Sequence, residues 1–91
     1  MAIIAVFDIP TMNSEQYDKV IEELENAGLG NPDGRRYHIS ASKDSGRFIV
    51  DVWESDEQLN KFSETLIPIL EGAGVTPAVP QIYPVNNTIT G

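Results

Sequence analysis

A chain of 91 residues with 41% apolar content can fill one compact core but not two independent ones, so residues 1–91 are read as a single domain. Six Lys and Arg stand against fourteen Asp and Glu, a net charge of −8, which turns the phosphate attraction behind nucleic-acid affinity into repulsion and argues against nucleic acid and anionic membranes as partners. The chain holds no cysteine, which excludes disulfides, thiol nucleophiles, zinc thiolate sites and iron–sulfur clusters together, and fits a cytoplasmic location.

The first element is a β-rich run, Ile3 to Ile9, ended by Pro10, with Ile3, Ala5, Phe7 and Ile9 on one face and Ile4, Val6 and Asp8 on the other. Its apolar stretch before Asp8 is too short for a signal peptide or a membrane span. Asn13 with Gln16 three residues later predicts a capping box. Tyr17, Val20, Ile21, Leu24 and Ala27 then recur at helical spacing until Gly28. The turn Asn31-Pro32-Asp33-Gly34 follows, and Arg35 and Arg36 after it read as a solvated start to the next strand.

Arg36 to Lys43 alternates as a strand, and Asp44-Ser45-Gly46 signals a tight turn into a return strand, Arg47 to Glu54. Ser55 and Gln58 repeat the capping pattern. The second helix carries Leu59, Phe62, Leu66, Ile69, Leu70 and Ala73 as its buried stripe, with a kink or break expected at Pro68 and an end at Gly72 or Gly74. A last strand over about Val79 to Val85 contains Pro80 and Pro84, which suits a sheet edge. The polar tail, residues 86–91, is read as mobile unless a partner holds it.

The order β, α, β, β, α, β predicts an α+β, ferredoxin-like βαββαβ sandwich: a four-stranded antiparallel sheet with two helices on one face. Two hairpin registers compete. A three-residue loop with Gly46 in a bulge would set His38 opposite Val52, and turn chemistry favours it. A two-residue loop, Asp44-Ser45, sets His38 opposite Asp51, Ser40 opposite Ile49 and Arg36 opposite Trp53. Patterning favours this second register, because it groups Tyr37, Ile39, Ala41, Phe48, Val50 and Val52 as a wholly apolar layer beneath the helices.

The far face of the sheet is then expected to carry Ile4, Val6, Asp8, His38, Ser40, Ile49, Asp51 and Trp53. Such an apolar wall would be a large exposed patch on a monomer, so a second copy is expected to cover it as a homodimer. His38 with Asp51 could act as an oriented general base, or could simply satisfy two half-buried polar groups. Asp8, Ser40, Ile49, Trp53 and Tyr83 are candidate ligand contacts around them. With one histidine in the chain, no metal site is assigned, and no cofactor is expected.

Val52-Trp53-Glu54-Ser55 before an amphipathic helix, placed after a ββ hairpin, resembles the dimeric α+β barrel superfamily, and within it the antibiotic-biosynthesis-monooxygenase-like group. The resemblance covers Ile3 to about Asn87. It implies two sheets packed across a two-fold axis, with activities that include cofactor-independent oxygenation of polycyclic aromatics, haem degradation, isomerisation and cyclisation. It also maps Trp53 onto the tryptophan that contacts haem in the haem-degrading branch. Asp8 stands near where that branch has an Asn, and the second helix offers no His to ligate iron, so haem degradation is disfavoured. The chain is accordingly expected to be a monooxygenase- or cyclase-like enzyme acting on a small aromatic or enolisable substrate, with a non-catalytic small-ligand binder or a structural dimer as the alternatives.

Overall fold

The alternating run after Ala2 forms β1 (Ile3–Ile9) in the computed structural model, which describes all 91 residues, and the other elements follow as α1 (Ser14–Asn26), β2 (Arg35–Lys43), β3 (Gly46–Trp53), α2 (Asp56–Gly72) and β4 (Gln81–Pro84). The four strands make one antiparallel sheet in the order β2-β3-β1-β4, so the short, proline-bearing β4 sits at an edge as expected. The domain is an α+β, ferredoxin-like sandwich. Both helices lie against the face of the sheet that buries Ile3, Ala5, Phe7 and Ile9.

Local chemistry sets the helix ends. Asn13 and Gln16 exchange side chain to backbone hydrogen bonds at 2.8 and 3.0 Å, the reciprocal capping box read from their spacing. At α2 the second half of that box is missing: Ser55 Oγ accepts from the Gln58 N–H at 3.3 Å but donates to Gln58 Oε1 at 3.0 Å. Both helices close with paired bonds around a left-handed glycine. Leu29 N–H reaches Leu24 O and Val75 N–H reaches Leu70 O, with Gly28 at φ +77° and Gly74 at φ +78°. Of the kink or break expected at Pro68, the break does not occur, and the helix ends at Gly72, one of the two ends expected. Pro68 and Glu64 are both exposed, so the Glu64 carbonyl that loses its donor can turn to water, and α2 continues to Gly72.

The hairpin adopts the two-residue loop. Lys43 faces Gly46, His38 faces Asp51 and Ser40 faces Ile49, with Asp44 at φ +53°, a conformation that Asp tolerates. Gly46 is required by close packing: a Cβ there would overlap the backbone of Ile9 and Pro10 at the end of β1. A bulge between Arg35 and Tyr37 shifts the far end, so Arg35, not Arg36, lies across from Trp53.

The face assignment is inverted relative to the patterning expectation. β1 pairs with β3 as Ile3 to Trp53, Ala5 to Asp51 and Phe7 to Ile49, and residues directly opposite one another share a face. Ile49, Asp51, Trp53 and His38 therefore lie beneath the helices. Trp53 is 0% exposed and packs on Phe62 of α2 with ring centroids 5.2 Å apart. The outer face carries Tyr37, Val52, Ile4 and Tyr83 in one row and Ile39, Val50 and Val6 in the next. Period-two alternation says which residues of a strand go together, but it does not say which side of one strand joins which side of another. The wholly apolar set lost the core because burying the indole removes more apolar surface, and because the polar groups that travel with it can satisfy one another.

Because Trp53 fills the core and donates one hydrogen bond, Trp53→Phe should lower unfolding free energy by about 1–3 kcal/mol and Trp53→Ala by about 3–5 kcal/mol. Urea denaturation followed by circular dichroism measures both. Equal, negligible losses would mean that the indole is not buried.

Candidate active site

The site is built around a carboxylate that has no water to rely on. The Asp51 side chain is 5% exposed, and its two oxygens divide the work: Oδ1 accepts from His38 Nδ1 at 2.6 Å, and Oδ2 accepts from Trp53 Nε1 at 3.3 Å. The hairpin register delivers the histidine, while alternation along β3 delivers the indole two residues away on the same face. An ionised carboxylate in that position fixes the proton on Nδ1, which leaves Nε2 of the neutral ring as a lone-pair acceptor. Tyr17 Oη occupies that lone pair at 2.7 Å, with the two rings only 9° from coplanar. Four side chains from three elements thus form one continuous chain of hydrogen bonds, Tyr17 to His38 to Asp51 to Trp53, and every buried side-chain polar atom in the protein has a partner.

Beside this chain lies a cavity of about 50 Å³ between the sheet and the helices. Phe7, Ile9 and Ile49 floor it, α1 contributes Val20 and Leu24, and α2 contributes Phe62 and Leu66. Tyr17, Ile21, Arg35 and His38 line both this cavity and an open groove of about 600 Å³ outside it, whose outer wall is Asp18, Glu22 and Glu25. Arg35 spans the two: its Nη2 donates to Gly30 O at 3.0 Å and its guanidinium carbon lies 6.0 Å from the centre of the Phe62 ring.

Of the residues singled out in the sequence, His38, Asp51, Ile49 and Trp53 are brought together, although on the opposite face from the one expected. Ser40 shares that face without lining the cavity. Asp8 and Tyr83 lie on the outer face, away from His38. Asp8 is held there by Lys43 Nζ at 2.8 Å, and this hydrogen bond raises the lysine above its ordinary pKa. Two further residues of the site, Tyr17 and Arg35, do not stand out in the sequence. Tyr17 falls in the apolar stripe of α1, although a hydroxyl on a core-facing stripe asks for a partner. Arg35 stands beside Arg36, and of the two only Arg36 is a solvated residue, 3.6 Å from Glu54.

No three His, Cys, Asp or Glu side chains converge as a metal-ligating group, and no helix is long and apolar enough to cross a membrane. The residues do not suit haem either. Trp53 has no free face for a planar group, and the single imidazole is engaged at both nitrogens.

No family model matches the chain, and no curated protein matches it. Solved structures do. A monooxygenase from the gene ActVA-Orf6 of Streptomyces coelicolor, in complex with the ligand nanaomycin D, superposes with a TM-score of 0.53 at 14% identity over 99% of this chain and 90% of that one. A proposed antibiotic biosynthesis monooxygenase from Caulobacter crescentus CB15 gives 0.52 at 12% identity over 90% and 83%. The chain shares the fold of antibiotic-biosynthesis monooxygenases. The resemblance read from the Val52 to Ser55 segment is borne out at that level, and such low identity carries the likeness no further than fold.

Proposed function

We propose that this protein is a small cofactor-independent enzyme, monooxygenase- or cyclase-like, that abstracts a proton from a small aromatic or enolisable substrate. The observation that carries this reading is the 2.6 Å contact from His38 Nδ1 to Asp51 beside an apolar cavity. A carboxylate so placed holds the imidazole in one tautomer and stabilises the imidazolium that forms when the ring takes a proton. The carbanion left on the substrate then reacts with dioxygen in an oxygenase, or with an internal electrophile in a cyclase. That one protein of the same fold is a monooxygenase bound to nanaomycin D supports the direction of the reading.

The competing reading is a structural or merely ligand-binding role, favoured by the fact that the polar chain is already complete without a substrate. Dioxygen uptake over a panel of bicyclic and tricyclic phenols and enolisable ketones separates the two. The wild-type protein should consume oxygen with at least one of them, and His38→Ala should lose that turnover while keeping its helical circular dichroism. Full retention in His38→Ala would end the role given to His38 as the base, and a wild-type protein that turns over none of the panel would favour the structural or ligand-binding reading.

We further propose that a second copy covers the outer face. Ile39 is 59% exposed, Tyr83 49% and Tyr37 48%, on a face whose remaining side chains are mostly aliphatic. That is more contiguous apolar surface than a small monomer usually leaves in water. Pairing of two such sheets would leave each candidate site on its own protomer, under the helices and away from the seam. Ile39→Glu should convert a sedimenting dimer to a monomer at micromolar concentration without loss of helicity. A wild-type protein that already sediments as a monomer would contradict the pairing.

A further inference from the structure

The proton-abstraction reading leaves one difficulty, because the nitrogen that should act as the base is not free. With Nδ1 committed to Asp51, the remaining lone pair of His38 is filled by Tyr17 Oη at 2.7 Å, and no substrate atom can reach Nε2 while that bond stands. The inner cavity, at about 50 Å³, has room for a few waters or the edge of a ring. That is well under the roughly 300–1,000 Å³ of ordinary small-molecule sites. The open groove between α1 and β2 offers more room, about 600 Å³, and Tyr17 borders it as well as the cavity.

We propose that an uncharged, enolisable ketone binds in this outer groove and that Tyr17 is the catalytic residue touching it, relaying the abstracted proton to His38. This rests on the proton-abstraction reading above. The substrate C–H bond breaks towards Tyr17 Oη and a new O–H bond forms there, while the hydroxyl's original proton moves to His38 Nε2. The C–H electron pair becomes the enolate. The balancing positive charge is the imidazolium, which lies against Asp51, and no oxidant or reductant enters the step. Arg35 is the only lysine or arginine lining either space, and it keeps N–H groups beyond the one given to Gly30, so it has donors left for the developing enolate oxygen. Asp18, Glu22 and Glu25 on the groove's outer wall would repel a carboxylate-bearing substrate, which restricts the site to neutral ketones.

The direct test is exchange of the C1 protons of 2-tetralone in deuterium oxide, followed by proton NMR with the full-length protein. Wild-type protein should accelerate exchange, His38→Ala should abolish the acceleration, and Tyr17→Phe should reduce it about 100-fold or more, the usual worth of a positioned acid–base group. Site-specific replacement of Tyr17 by 3,5-difluorotyrosine keeps the shape and acidifies the hydroxyl, so the pH–rate profile should move to lower pH. A purely structural tyrosine would not produce that shift. Exchange in Tyr17→Phe equal to or faster than wild type, with His38→Ala still dead, would overturn the relay and leave His38 as the direct base. Exchange that never exceeds the solvent rate in wild-type protein would overturn proton abstraction itself, and the relay with it.

Discussion

A carboxylate buried beneath two helices must be compensated atom by atom, and in this protein the compensation of Asp51 organises the rest. Removing an ionised group from water costs several kcal/mol unless hydrogen bonds replace the lost solvation. Here Trp53 supplies one N–H and His38 the other. The first tie holds the largest side chain in the protein against Phe62 and so anchors α2 on the sheet. The second fixes the imidazole, through which Tyr17 ties α1 to β2. One polar chain therefore crosses both layers of the sandwich, and the core is packed around it.

The same interaction accounts for the division of the sheet into two surfaces of different chemistry. The face that carries Asp51 also carries the indole and the imidazole, and is closed by the helices. The opposite face is left with Tyr37, Ile39, Val50, Val52, Ile4 and Val6, a surface without a single charged group in its two central rows. Towards the hairpin end charge returns, where Lys43 reaches Asp8 and lies 5.6 Å from the Phe48 ring centre. The proposed proton abstraction around His38 and the proposed pairing on the open face would draw on different residues.

Much of this was legible in the residues taken singly or by strand. Asn13 with Gln16, the glycines at positions 28 and 74, the edge position of the last strand and the alternation of β1 each act over a few residues, and each is found as read, although the last strand is the shorter Gln81–Pro84, with Pro80 outside it. The hairpin register was also legible, because it alone keeps Tyr37, Ile39, Ala41, Phe48, Val50 and Val52 on one face, although that face lies away from the helices and not beneath them. What could not be read was the side of the hairpin that faces the helices. That choice is made by the pairing of β1 with β3, strands far apart in sequence, as in Ile3 with Trp53. Binary patterning sent the polar set outward, since an isolated Asp or His is costly in a core. It could not register that these groups satisfy one another once Trp53 and Tyr17 join them. For the same reason the site emerged without Tyr17, whose partner lies on a different element.

The tautomer of the single imidazole reports most directly on whether a buried, ionised Asp51 sets up this arrangement. Long-range proton–nitrogen correlation spectra of the wild-type ring in its neutral form should show a protonated Nδ1 and a bare, hydrogen-bond-accepting Nε2. A ring found protonated at Nε2 instead would mean that Asp51 does not orient it, and that Tyr17, His38 and Asp51 are not joined as described.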